Sequence, residues 1–148
     1  MGVGDIKAGP FEIVYIAKGT GTLVAGNIVA FDSNGLVIPA TATTEGKHGV
    51  LTALTHIVGA TTYYGVMMKG RIVCKAAGAI KPNKRVESDA NGETITISTA
   101  AVATGYVQSE IQDLNGRMVG RYVRKESDNQ YAPSDAASTD AIVVEVGV

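Results

Sequence analysis

Residues 89–98 read Asp89-Ala90-Asn91-Gly92-Glu93-Thr94-Ile95-Thr96-Ile97-Ser98. From Glu93 onward polar and apolar side chains alternate with a period of two. That is the pattern of a strand with one buried face and one wet face. The Asn-Gly pair ahead of it is a hairpin signal, because both residues tolerate positive φ. The first half of the chain writes the same turn as Asp32-Ser33-Asn34-Gly35, between the apolar runs Thr22–Phe31 and Leu36–Ile38. Asn34, Gly35, Asn91 and Gly92 are therefore expected in tight turns of type I′ geometry, in which both central residues take positive φ.

Outward from these turns the chain reads as short β-runs with turn signals between them. The runs are Phe11–Ile16, Gly49–Leu54, His56–Val58, Tyr63–Lys75, Gly105–Ile111, Met118–Val123 and Ala141–Val148. Residues 126–140 are polar, contain Pro133, and read as a long exposed loop. Thr99–Thr104 is the one helical candidate, and it is too short to be stable alone. The fold class expected is mainly β, a small barrel or sandwich built from hairpins. Residues 1–10, Gly-rich and closed by Pro10, read as an extended N-terminal arm, and 11–148 as a single β domain.

The halves also resemble each other. With Asn34-Gly35 laid over Asn91-Gly92, Asp32 falls on Asp89, Val29 on Val86 and Ile38 on Ile95. Gly49-Val50-Leu51 then has a counterpart in Gly105-Tyr106-Val107, and Ile72-Val73-Cys74 in Ile142-Val143-Val144. The expectation is an internal duplication over 22–75 and 79–146, two copies of one β-unit sharing a core.

Composition narrows the chemistry. The 148 residues carry 13 Lys+Arg against 14 Asp+Glu, so bulk charge gives no attraction to nucleic acid or an anionic membrane. The start, Met1–Lys7, lacks the basic segment and apolar run of a signal peptide. No apolar run reaches the roughly 18 residues of a membrane span. A single cysteine rules out an intrachain disulfide framework and a Cys-rich zinc site. The two histidines, His48 and His56, have no third ligand at a metal-binding spacing. Cys74, in an apolar run, reads as a packed core thiol rather than a nucleophile. Met67-Met68-Lys69-Gly70 lacks the exposed Met-Lys-Met turn of a biotin carrier and reads as core Met beside a surface Lys. The basic groups Lys81–Arg85 and Arg117, Arg121, Arg124 and Lys125 lack the aromatic platforms of a nucleic-acid site and read as solvated loop ends. No catalytic, cofactor-binding or metal-binding residue is assigned, and an enzyme is not expected.

One resemblance covers residues 11–148. It is carried by Val24-Ala25-Gly26-Asn27-Ile28-Val29-Ala30-Phe31, then Asp32-Ser33-Asn34-Gly35-Leu36-Val37. The loop Ala40–Thr44, then Gly49-Val50, and the Val-rich end Ile142–Val148 complete it. In these features the chain resembles the small capsid cement, or head decoration, proteins of tailed viruses. It departs from their pattern in the extra length of 106–140. The resemblance implies a β-rich, non-catalytic virion protein, often trimeric, made in the host cytoplasm. It would bind the outer surface of an assembled capsid where copies of the major capsid protein meet. The N-terminal arm would then contact the capsid through Val3, Ile6, Lys7 and Phe11. A different expectation is a ligand- or carbohydrate-binding β module of a viral spike or fibre, with Tyr63, Tyr64 and Tyr106 as stacking platforms. An enzyme using Cys74 or the histidine pair is a third.

Overall fold

The computed structural model describes residues 2–41, 48–97 and 118–147. All regular structure among them is β, as the hairpin pattern predicts. In chain order the strands are β1 (Ile6–Ala17), β2 (Ile28–Phe31), β3 (Val37–Pro39), β4 (Gly49–Val58), β5 (Thr61–Lys75), β6 (Arg85–Ser88), β7 (Thr94–Thr96), β8 (Gly120–Lys125) and β9 (Ala141–Val146). They form one antiparallel sheet, curled into a half-barrel, in the order β3-β2-β4-β5-β9-β8-β6-β7, with β1 joined to β5. Tyr63, Tyr64, Val66 and Met67 of β5 pair with both β1 and β4, while Arg71 and Ile72 pair with both β1 and β9. The long β5 is thus the strand to which everything else is tied.

The strand order is a palindrome of two four-strand units, and the pairing registers repeat as well. Val29↔Pro39, Ala30↔Ile38 and Phe31↔Val37 in the first unit are matched by Val86↔Thr96, Glu87↔Ile95 and Ser88↔Thr94 in the second. Val29 also pairs with Gly49, and Val86 with Gly120. In this scheme the counterpart of Gly49 is Gly120, not Gly105. Likewise Leu51↔Val66 is matched by Tyr122↔Val144, so Val144 corresponds to Val66 rather than to Cys74.

Both predicted hairpins are present, but their turns are not type I′. Among the described residues positive φ outside glycine occurs at Asn83 and Thr139, not at Asn34 or Asn91. The reason is the aspartate that opens each loop. Asp32 Oδ1 accepts the N–H groups of Asn34 and Leu36 at 2.8 and 2.9 Å. Asp89 Oδ1 accepts those of Asn91 and Glu93, each at 2.8 Å. The Gly35 and Gly92 N–H groups donate to the carbonyls of Asp32 and Asp89. Each loop is therefore a type I turn followed by a left-handed glycine, with φ +76 at Gly35 and +80 at Gly92.

Two boundaries also move. The strand expected from Thr22 begins at Ile28, because the Asn27 N–H donates to Val24 O at 3.1 Å and Gly26, φ +84, closes a turn there. The break expected at Pro10 is absent, and β1 runs through it. Pro10 has no N–H to give, and it sits inside the register shift between Ala8 and Glu12, where the ladder tolerates it. The helical candidate 99–104, the run 105–111 with Tyr106, and Arg117 lie outside the described residues.

Because the sheet curls, successive residues of one strand feed two clusters. Ile28, Ala30, Val50, Met67, Ile72, Cys74, Ile142 and Val144 belong to the larger. Their neighbours Val29, Leu51 and Val66 join Val37 in the smaller, against Val14, Ile16 and Tyr64. Each fully buried aliphatic side chain contributes roughly 1.5–3 kcal/mol. Tyr122 is the largest fully buried side chain, and its hydroxyl donates to Ser134 O at 2.7 Å. Burial, with Asp128, Asp140 and Asp135 nearby, pushes that phenol up to about 12.

Candidate interaction surface

The hairpin of β4 and β5 outruns the core. Thr52 marks its base: its hydroxyl donates to Gly65 O at 2.8 Å and accepts the Leu54 N–H at 3.1 Å. A side chain on Gly65 would collide with that hydroxyl, which explains a glycine in an otherwise regular strand. Beyond the base, residues 53–61 are all exposed. Thr55, Ile57, Val58, Thr61 and Thr62 are β-branched and suit extended backbone. Gly59, φ +62, opens the two-residue loop between the Val58↔Thr61 pair, the position where a type II′ turn wants glycine.

Alongside Thr55, His56 and Thr61 the hairpin exposes large apolar side chains. Ile57 is 67% exposed, Val58 57% and Leu54 44%. From Gly49 through Met68 the sequence holds no Asp, Glu, Lys or Arg. Tyr15 of β1, 47% exposed, adds its ring edge-to-face against His56, with centroids 6.3 Å apart. Projecting strands are normally guarded by charge or proline, and this one has neither. The result is a strip of exposed apolar side chains with no acidic, Lys or Arg side chain in its sequence.

The sequence-predicted contact residues are split by the fold. Val3 and Phe11 are exposed. Ile6 pairs with Ile72 and packs against the larger cluster, and the Lys7 ammonium lies 3.0 Å from the Glu126 carboxylate. The Gly4 N–H donates to Val73 O at 2.7 Å, and the Val73 N–H to Asp5 O at 3.0 Å. The segment read as an extended arm is thus laced to β5 from Gly4 onward, because Val73 presents backbone groups that need partners. Ile6 and Lys7 already have partners within the chain, and both stay partly exposed. Of the turn residues, Asn34, Gly35 and Asn91 are exposed, whereas Gly92 is buried.

The other candidates are placed plainly. Cys74 is fully buried and burial pushes its thiol up to about 12, so it supplies no thiolate. Met67 is buried beside exposed Lys69. His48 is buried and His56 lies on the exposed hairpin. Among the described residues no three His, Cys, Asp or Glu side chains are grouped to hold a metal. Arg121 reaches Glu145 at 2.8 Å and Asn83 at 2.7 Å, and Lys81 reaches Asp135 at 3.1 Å. Arg124 donates to the carbonyls of Lys125 and Glu126 at 3.0 and 3.2 Å. Tyr63 and Tyr64, adjacent on β5, point to opposite faces, so they form no shared stacking platform.

Sequence reading missed Leu54, Ile57, Val58 and Tyr15 as surface residues, because apolar runs are ordinarily core. The signal that could have found them is the charge-free stretch from Gly49 to Met68. Comparison with protein-family models, with curated proteins and with solved structures returned no match to this chain.

Proposed function

We propose that this chain is a structural protein that binds the outer surface of an assembled viral capsid and stabilises it. The carrying observation is the uncharged, apolar hairpin of β4 and β5, which projects beyond the core with Ile57 and Val58 in water. Its partners in this reading are the major capsid protein and further copies of the chain, as a homotrimer. The viral setting comes from the resemblance in Val24–Val37 and the closing strand. The contact role is supported by the exposed hairpin.

The physics of the role is consistent with such a surface. Covering one exposed Ile or Val is worth roughly 1.5–3 kcal/mol at most, so a single contact is weak. Copies repeated over a shell and linked to one another sum those contacts by effective concentration. The carbohydrate-binding reading is less favoured, because Tyr63 and Tyr64 face opposite ways. Catalysis forms no part of the proposal.

The test is to mix purified protein with expanded shells that lack it, then pellet them. Saturable co-sedimentation and a higher shell disruption temperature are expected. Protein left in the supernatant at every concentration rejects the proposal.

A further inference from the structure

We propose that Asn34 is a site of spontaneous deamidation, and that Asn91, in a turn of the same geometry, is protected. Both are followed by glycine, whose backbone nitrogen is unhindered by a side chain. The reaction needs only base and water. The Gly35 nitrogen gives up its proton and attacks Cγ of Asn34, forming a C–N bond and a five-membered succinimide. The Cγ–Nδ2 bond breaks, and Nδ2 leaves as ammonia after taking up a proton. Water then opens the ring at either carbonyl, giving aspartate or isoaspartate.

The two turns hold the attacking nitrogen alike. The Gly35 N–H donates to Asp32 O at 3.0 Å and the Gly92 N–H to Asp89 O at 3.3 Å. Attack at either site must wait for the turn to open, so its rate follows the local opening equilibrium. Here the turns differ. Ser33, Asn34 and Gly35 are exposed, and a methyl group placed on Gly35 would meet nothing within 4 Å. In the second turn Asn91 is exposed as well, but the turn is docked through its backbone. Asn91 O accepts from Asn27 Nδ2 at 3.1 Å, Gly92 O accepts from the Ile28 N–H at 2.8 Å, and Gly92 is buried. Opening it means pulling it off β2 as well.

The consequence falls on β3, the end strand of the sheet order. Deamidation puts a carboxylate at a neutral apex. The isoaspartyl product also lengthens the backbone inside the loop closed by the Asp32 N–H to Leu36 O bond.

The experiment is incubation of the native protein in warm, mildly alkaline buffer, with peptide mass spectrometry that resolves the Asn34 and Asn91 peptides. Asn34 should convert with isoaspartate among its products, and Asn91 about tenfold or more slowly, as its extra opening cost requires. In denaturant the two rates should converge. Asn27→Ala should raise the Asn91 rate and leave Asn34 unchanged; should that variant fail to fold, the native-to-denatured comparison decides. Equal native rates, a faster Asn91, or an Asn34 inert in the native protein but reactive in denaturant would overturn the proposal.

Discussion

Asn27 and Asn91 are joined across the two halves of the sheet: the Asn27 side-chain amide donates to the Asn91 backbone carbonyl at 3.1 Å. Beside it the Ile28 N–H donates to Gly92 O at 2.8 Å. The tip of the β6–β7 hairpin is therefore fastened to the start of β2, while Ser33, Asn34 and Gly35 at the tip of the β2–β3 hairpin are exposed. Two turns with the same internal hydrogen bonds thus have different burdens.

That difference sets the first prediction. Gly35→Ala forces a side chain into positive φ and should cost about 1–2 kcal/mol. Gly92→Ala has the same strain, and its Cβ would also lie 3.2 Å from Ile28 O and 3.3 Å from Asn27 Nδ2. It should be clearly the more damaging in chemical denaturation. Equal midpoints would show that the docking contributes nothing.

Removing residues 2–9 takes away the Gly4 and Asp5 bonds to Val73 and the packing of Ile6. A loss of about 2 kcal/mol or more is expected from the buried apolar area and the stranded backbone groups. The Lys7–Glu126 pair is partly exposed and adds little. Thermal unfolding checks this; an unchanged midpoint would restore the free-arm reading.

Acid should loosen the 126–140 loop. Asp128 accepts the N–H groups of Ser134 and Lys125 at 2.9 and 3.0 Å, and the Ser134 hydroxyl at 2.9 Å. The Ser134 N–H, most of all, holds this carboxyl below its ordinary 3.8. A carboxylate whose pKa is lower folded than unfolded stabilises the fold above the unfolded value. That stabilisation is lost as pH falls through the folded value. Asp128→Asn should therefore be less stable than the parent at neutral pH, with the gap narrowing below pH 3.8. A gap that stays constant in pH-dependent unfolding would remove Asp128 from this role.

Cys74 should resist thiol reagents. Its side chain is fully buried and its thiol is pushed up to about 12, so thiolate is scarce at neutral pH. Labelling should track unfolding when denaturant is raised. Rapid labelling of the native protein would return Cys74 to consideration as a nucleophile.

Much of the fold is legible in the sequence for physical reasons. The alternation at 93–98 and the Asp-x-Asn-Gly turns are local signals, and local signals fix hairpins. The superposition of Val29 on Val86 and Ile38 on Ile95 matches the observed register, since turn length sets register. What is set by distant partners is not legible. Nothing local shows that Val73 ties down Gly4 and Asp5, so residues 1–10 read as an extended arm. More sequence separates β7 from β8 than separates β3 from β4, so the counterpart of Gly49 lies further along, at Gly120. The exposed hairpin is hidden for another reason: Leu54, Ile57 and Val58 have the composition of core, and only the fold places them outside it.

The contact role of that hairpin is tested most directly by Ile57→Lys combined with Val58→Lys. Both side chains are more than half exposed, so the fold should tolerate the change and the thermal midpoint should hardly move. Sedimentation with shells lacking the protein is then measured for parent and variant side by side. The expected result is a folded variant that stays in the supernatant under conditions where the parent pellets. A folded variant that pellets with the shells as well as the parent does would contradict it.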